Sequence, residues 1–158
     1  MLRKLITTLL LIAVFFSYGC TQIQYASEKD ADYQQIIEFT PVNDKGVVYI
    51  IRDKESDFQI HELSVNFNNQ KVNLWPMTYT RVVVKPGQYN LEPNIPGVFS
   101  IEEELNINIK PGDVVFLKME AHARIGIPNK GSITVIPEDV AKRGIQIYKL
   151  KPAPTKHL

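Results

Sequence analysis

The sequence predicts an all-β domain, because short apolar runs follow the repeat of a β-strand and turn residues separate them. In 63–67 and 105–109, apolar and polar residues alternate, which is the period of a half-buried strand. Residues 46–52 form a β-branched and aromatic run bounded by turn residues. Such a series of short strands favours a sandwich or a barrel. We predict strands at 46–52, 63–67, 72–74, 78–84, 105–109, 114–121, 132–136 and 145–150.

Two Pro-Gly pairs mark turns in this domain. Pro86-Gly87 and Pro111-Gly112 each follow a β run. Proline presets the first turn angle at about −65°, and glycine supplies the positive φ that a type II turn requires. We expect each pair to reverse the chain between antiparallel strands.

One short helix is predicted near the C-terminus. Pro137 stands at its first position, acidic residues follow in the first turn, basic residues lie in the last turn, and Gly144 ends it. This order is typical of a helix because it complements the helix dipole and the backbone needs of both ends. We therefore predict a helix over 137–144, followed by a last strand.

Size and charge exclude some classes of function. The chain has 158 residues, 44% of them hydrophobic and 22% charged, which fits one globular domain. Its formal net charge is +1, and the basic residues are scattered along the chain. A nearly neutral domain gives no electrostatic reason to expect nucleic-acid binding.

The first twenty residues have the layout of a secretion signal. Arg3 and Lys4 precede the apolar stretch 5–16, and Ser17-Tyr18-Gly19-Cys20 follows. The stretch is too short for a membrane span, which needs roughly 20 apolar residues. The alternative interpretation is a buried helix at the start of a cytosolic domain.

The end of this segment resembles the lipobox of bacterial lipoproteins, in Gly19 and Cys20 above all. The resemblance implies that a peptidase cuts before Cys20 and that fatty chains such as palmitate anchor the new N-terminus to a membrane. In a Gram-negative host, Thr21 in place of aspartate favours the outer membrane, facing the periplasm. Since Cys20 is the only cysteine, no disulfide forms within the chain.

The rest of the chain divides into a tether, a domain and a tail. The tether is polar in its first half, and a flexible segment of this length spans about 25–30 Å. Its apolar residues Ile36, Ile37 and Phe39 are expected to dock on the domain as a short strand or a helical turn. The predicted organisation is a leader over 1–19, a lipidated N-terminus and tether over 20–44, the β-sandwich over 45–150 and a tail over 151–158.

The predicted domain is similar to a family of small bacterial lipoproteins known as domain-of-unknown-function family 2846. The similarity lies in the segments VYIIR (48–52), VNFNNQKV (65–72), VVVKPGQY (82–89) and INIKPGDVVF (107–116). Asn69 stands where the family commonly has glycine. The resemblance implies an Ig-like or transthyretin-like antiparallel β-sandwich, and it carries over no catalytic residue and no cofactor.

Reactive groups that could form an enzyme or metal site are few. His61 and His122 are expected near the rims of the sheets, and Glu120 shares a strand face with His122. A metal or acid–base cluster of these three residues is one interpretation; two unrelated, solvated histidines are the other. The sequence contains neither a nucleophile motif nor a glycine-rich phosphate loop.

Trp75, Met77 and Tyr79 are the candidate contact residues. They lie around Pro76, which favours a loop or a sheet edge because proline lacks a ladder donor. Exposed together, they would anchor a protein partner; alternatively, Trp75 closes one end of the core. The glycine- and proline-containing segment 121–131 is predicted to be a mobile loop and a second candidate contact.

The features above predict a non-enzymatic module, tethered to a membrane through Cys20, that binds another envelope protein or supports envelope structure. A hydrolase or metal-binding protein that uses the rim histidines is the second hypothesis. A carrier with a ligand pocket between the sheets is the third.

Overall fold

The computed structural model describes residues 23–97 and 100–158, so the predicted leader and Cys20 lie outside the described residues. None of the helices in these two ranges has the length and apolar character that a bilayer crossing requires. The elements are α1 (Tyr33–Ile37), β1 (Gly46–Arg52), β2 (Leu63–Phe67), β3 (Gln70–Leu74), β4 (Thr78–Val84), β5 (Gly87–Asn94), β6 (Ser100–Glu103), β7 (Leu105–Ile109), β8 (Val114–His122), β9 (Asn129–Val135), α2 (Glu138–Tyr148) and β10 (Lys151–His157).

The strands form two sheets, which confirms the predicted β-sandwich. The six-stranded sheet has the order β10-β4-β1-β8-β9-β6, and the four-stranded sheet has the order β3-β2-β5-β7. The pairing is mostly antiparallel, but β1 with β8, β10 with β4 and β6 with β9 are parallel. These parallel pairs join strands that are distant in sequence, so the larger sheet of this mostly antiparallel sandwich is mixed.

The two Pro-Gly turns connect the sheets instead of making hairpins. Pro86-Gly87 leads from β4 in the six-stranded sheet to β5 in the other sheet, and Pro111-Gly112 leads from β7 back to β8. The second turn has the expected type II features, with Gly112 at φ 79° and the Asp113 amide donating to the Lys110 carbonyl at 3.2 Å. The prediction of paired strands was wrong because packed sheets lie about 10 Å apart, too far for ladder hydrogen bonds.

The inner faces of the sheets enclose the main core. Strands β1 and β4 are buried along their whole length, so they contribute to this core with one face and to a second core with the other. The fully buried residues of the main core include Val48, Ile50, Val65, Phe67, Val82, Leu91 and Leu117. These side chains fill the space between the two sheets with apolar groups.

The outer face of the six-stranded sheet is also covered. The N-terminal segment, residues 26–42, and α2 pack on this face. They surround four aromatic rings, those of Phe39, Tyr49, Tyr79 and Phe116. Tyr49 stacks on Phe116 at 5.3 Å between ring centroids, and Phe39 meets Tyr49 edge-on at 5.0 Å. Burial raises the pKa of both Tyr49 and Tyr79 to about 12, so these phenols stay neutral.

Much of the predicted tether is part of the domain. Ile36 is fully buried, as its expected docking requires, and the Tyr49 hydroxyl donates to the Gln35 carbonyl at 3.0 Å. Already at Ala26, the backbone amide donates to the Pro152 carbonyl at 2.8 Å. Residues 26–44 of the predicted tether therefore pack on the domain, because their apolar side chains complete the second core.

Seven of the last eight residues form a strand rather than a tail. Strand β10 pairs in parallel with β4 at the edge of the six-stranded sheet. Pro152 and Pro154 led to the prediction of a tail, but an edge strand tolerates proline where the missing donor would face away from the ladder. Ala153 is buried at this edge.

Helix α2 continues past Gly144 to Tyr148, so the predicted strand over 145–150 is wrong. The residues that pack against the sheet repeat at helical spacing: Ala141, Ile145 and Tyr148. Burial of this face outweighs the low helix propensity of one glycine. The helix ends at Lys149, whose φ of 53° is left-handed.

We expect Gly46→Ala to lower the free energy of unfolding by about 1–3 kcal/mol. The added Cβ would collide with Cγ2 of Ile109, a β-branched side chain that is 1% exposed and has no room to turn aside. Gly144→Ala is the control: its Cβ meets nothing within 4 Å, and a gain of about 0.5–1 kcal/mol is expected in a helix. Urea unfolding measures both, and a Gly46→Ala domain as stable as the parent would contradict this packing.

Candidate functional site

A groove lies beside the contact between α2 and the outer face of the six-stranded sheet. Its volume is about 270 Å³. Apolar side chains line its floor and its helical wall, and a cluster of charged residues closes one side. The lining residues are Ile51, Asp53, Glu55, Lys118, Ile136, Val140, Ala141, Arg143, Gly144, Ile147 and Tyr148.

Helix α2 gives the groove an exposed apolar wall. Val140 is 46% exposed and Ile147 is 66% exposed, although both are large hydrophobic residues. Gly144 lies between them, and a Cβ built there would meet no atom within 4 Å. The missing side chain therefore leaves space at the centre of the wall.

Lys118 is the centre of the charged cluster. Its Nζ lies 2.6 Å from Glu55 Oε2, 2.9 Å from Glu120 Oε1 and 3.2 Å from Asp53 Oδ2. The Tyr148 hydroxyl donates to Glu55 Oε1 at 2.6 Å, which joins α2 to the cluster. Three carboxylates around one ammonium leave an excess of negative charge, which Lys54, 5.2 Å from the Tyr148 ring centroid, offsets only in part.

The pKa shifts in this cluster favour fixed charges over proton transfer. Burial alone would lower the pKa of Lys118, but its bonds to Glu55, Glu120 and Asp53 raise it above the ordinary value. Hydrogen bonds from Lys118 and Tyr148 lower the pKa of Glu55, and the bond to Glu55 raises the pKa of Tyr148. A general acid or base needs a pKa near the working pH, and these shifts move all three groups away from neutrality.

Arg52 holds the loop that carries Asp53 and Glu55. It is fully buried, and its guanidinium donates to the carbonyls of Phe58 at 2.5 Å, His61 at 2.7 Å and Leu74 at 2.9 Å. Burial lowers its pKa to about 10, still well above neutrality. An arginine at a strand end reads as a solvent-exposed terminus, so sequence reasoning missed this anchoring role.

The histidines do not assemble with Glu120 into a metal site. His61 is exposed in the loop after β1, with its ring 6.2 Å from that of Phe58. His122 ends β8 opposite Lys130, whereas Glu120 is bound to Lys118. Within 23–97 and 100–158, no group of three His, Cys, Asp or Glu side chains is placed to hold a metal ion.

The structure does not expose the predicted contact residues Trp75, Met77 and Tyr79 on one surface. Tyr79 is only 4% exposed and belongs to the second core, against which Met77 also packs. Trp75 is half-buried and lines a different cavity, between the edges of the two sheets. A joint exposed contact is therefore a wrong prediction, because the strand that begins at Thr78 turns Tyr79 inward.

The second predicted contact, the loop within 121–131, is shorter than expected because β8 and β9 extend into it. Its tip exposes Ile125 fully and Ile127 to 59%. The neighbouring loop joins it through Asp57, whose Oδ2 accepts a hydrogen bond from the Ala123 amide at 2.9 Å. These exposed residues remain a candidate contact.

We expect Lys118→Met to lower the free energy of unfolding near pH 7 by about 1–3 kcal/mol, because it leaves a largely buried carboxylate, that of Asp53, without its cation. Glu55 has a lowered pKa, so its pair with Lys118 stabilises the fold above the ordinary glutamate pKa and is lost as the pH falls through the lowered value. The difference between variant and parent should therefore shrink on acidification, in urea unfolding followed from neutral pH down to about pH 3.

Lys130→Met is the matched control, since Lys130 forms one solvent-exposed ion pair with Glu103 at 2.6 Å. Its loss is expected to cost about 0–1 kcal/mol. Equal losses in the two variants, or a Lys118→Met loss independent of pH, would contradict the assigned role of the cluster.

Comparison of the chain with family models, curated proteins and solved structures finds no match. The resemblance to domain-of-unknown-function family 2846 therefore stays a prediction.

Proposed function

We propose that the protein is a lipid-anchored lipoprotein of the bacterial envelope whose β-sandwich binds a protein partner without catalysing a reaction. The anchor is Cys20, after a leader with a basic tip, an apolar stretch and a small residue before the cysteine. Two or three fatty chains there hold a protein on a membrane stably, whereas one chain holds it only marginally. The expected place is the outer membrane, with the domain in the periplasm.

The groove beside α2 is the observation that carries the binding role. A concave site with an apolar lining and a few convergent polar groups is the usual form of a binding site. The wall of this groove leaves Val140 and Ile147 exposed at the surface. An apolar side chain of a partner that enters beside Gly144 would shield both residues from water.

The charges beside the groove specify the partner further. Carboxylates outnumber ammonium groups around Lys118, and Glu55 is half exposed at the rim. Complementarity then favours a segment with an apolar residue for the groove and a Lys or Arg beside it. Glu55 and Lys118 stay charged near neutrality, because their bonds lower the pKa of the carboxyl group and raise that of the ammonium group, which supports binding over acid–base catalysis.

The anchor is tested by the mass of the mature N-terminus. We expect a chain that begins at Cys20 and carries fatty acyl groups, and we expect Cys20→Ala to leave the membrane fraction. Mature protein with a free thiol at Cys20, or with the leader cut elsewhere, would overturn the anchor.

The groove is tested by Gly144→Leu, in which the new side chain fills the space at the centre of the wall. A photo-reactive residue in place of Ile147 captures the neighbour in intact cells, and the purified neighbour is then titrated against each variant. We expect Gly144→Leu to weaken binding by about tenfold or more, the loss of one well-buried apolar contact. The fold should persist, because a Cβ at this position meets nothing.

Gly144→Ala is the control for that titration, since it changes the helix propensity in the same direction but adds only a methyl group. We expect its affinity to stay close to that of the parent. A partner that binds Gly144→Leu as tightly as the parent, or that is captured equally from Lys71 on β3, would place the binding surface elsewhere.

A further inference from the structure

A second cavity opens where β3 and β10, the edge strands of the two sheets, face each other. We call it the seam cavity; its volume is about 220 Å³. The cavity combines one aromatic residue, two amide side chains, one hydroxyl and one ammonium group. Its lining residues are Gln24, Asn73, Trp75, Thr80, Ala153, Pro154 and Lys156.

The Thr80 hydroxyl in this cavity has no hydrogen-bond partner among the described residues. Thr80 is 1% exposed, and its Oγ1 is both buried and unpaired. Thr78, two residues earlier on the same strand, bonds its hydroxyl to the Trp75 carbonyl at 2.8 Å. Buried hydroxyls are nearly always paired, and leaving one unpaired destabilises a fold. A ligand in the seam cavity would supply the partner that the protein does not.

The charge around the seam cavity favours an anion. Among the residues that the structure describes, no carboxylate lines the cavity, and the exposed Lys156 forms no ion pair. Lys151, also on β10, lies with its Nζ 4.7 Å from the centroid of the Tyr25 ring, and Lys149 precedes the strand. This edge of the sheet therefore presents cations next to Trp75, a residue type enriched at membrane interfaces.

The closeness of one lining residue to Cys20 in the sequence indicates where the anion comes from. Gln24, one of its lining residues, follows Cys20 by four residues. Four residues of fully extended chain span at most about 14 Å. With Cys20 lipidated as proposed above, the cavity lies within reach of the lipid headgroups. We infer that the seam cavity binds the headgroup of an anionic phospholipid, with Lys156 on the phosphate and Thr80 on a headgroup oxygen; this inference rests on the proposed anchor.

Trp75 gives the inference a direct readout, because it is the only tryptophan in the sequence. The mature chain with Cys20→Ala, which carries no fatty chain, is titrated with phosphatidylcholine vesicles that contain or lack phosphatidylglycerol. We expect a saturable blue shift of Trp75 fluorescence with the anionic vesicles only, weakened by added salt. Equal binding to both kinds of vesicle, or no shift with either, would overturn the inference.

Two variants locate the site. Lys156→Gln removes the cation, and Thr80→Val removes the unpaired hydroxyl while it preserves the shape of the side chain. Both should lose affinity for anionic vesicles several-fold, and Thr80→Val should also unfold at higher urea concentration. Lys130→Gln, the same charge change four strands away on β9, is the control and should bind as the parent does. Parent-like affinity in both seam variants would overturn the inference.

A competition arm distinguishes a lipid from a soluble phosphate. We expect glycerol 3-phosphate to compete with vesicles only weakly, since it lacks the bilayer. Full competition would assign the cavity to a soluble phosphate ligand and would overturn the inference of a lipid headgroup. Since the titrated chain has no fatty chain, vesicle binding tests the cavity alone, whereas the mass of the mature N-terminus tests the anchor alone.

Discussion

Complete burial of the central strands β1 and β4 is the constraint on which the rest of the structure depends. Every residue of both strands is buried, so each face of the six-stranded sheet needs a covering layer. The four-stranded sheet covers one face and draws the chain across the sandwich at both Pro-Gly turns. The N-terminal segment and α2 cover the other face. Because α2 spans only 11 residues, its cover is incomplete, and the groove is the part that it leaves open.

The sequence was informative wherever a strand carries its own pattern. The predicted bounds of β1 and β4 match the structure. Strand β1 is a nearly continuous apolar stretch, as is typical of a strand buried on both faces, and the run 82–84 marks the end of β4. The pattern was misleading at the C-terminus, where the alternation in 145–150 fits a strand as well as a helix. Strand β5 was missed because glutamine, asparagine and proline interrupt it, and its place between β2 and β7 outweighs its low strand propensity.

The groove was beyond sequence reasoning for a different reason. Asp53 and Glu55 follow β1, whereas Lys118 and Glu120 lie on β8, more than sixty residues later. The parallel pairing of β1 and β8, which places Ile51 opposite Lys118, brings these charged residues together. No local sequence pattern predicts a parallel pair between strands that are distant in the chain. The predicted lipobox is the opposite case, because its whole pattern lies in consecutive residues. Trp75 is an intermediate case. The sequence shows an aromatic residue beside a proline, but its surroundings depend on β10, which was not predicted as a strand.

The docking of the N-terminal segment has a consequence for how far the domain reaches. Among the described residues, Ala26 is the first with a backbone bond to β10. Cys20 lies six positions before it, at most about 22 Å of extended chain. If Cys20 is anchored as proposed, this short connection limits how far the domain can move away from the bilayer surface. A binding partner would then have to present its segment within a few nanometres of the same leaflet. The two proteins would meet only in this thin layer, where the effective concentration of each is higher.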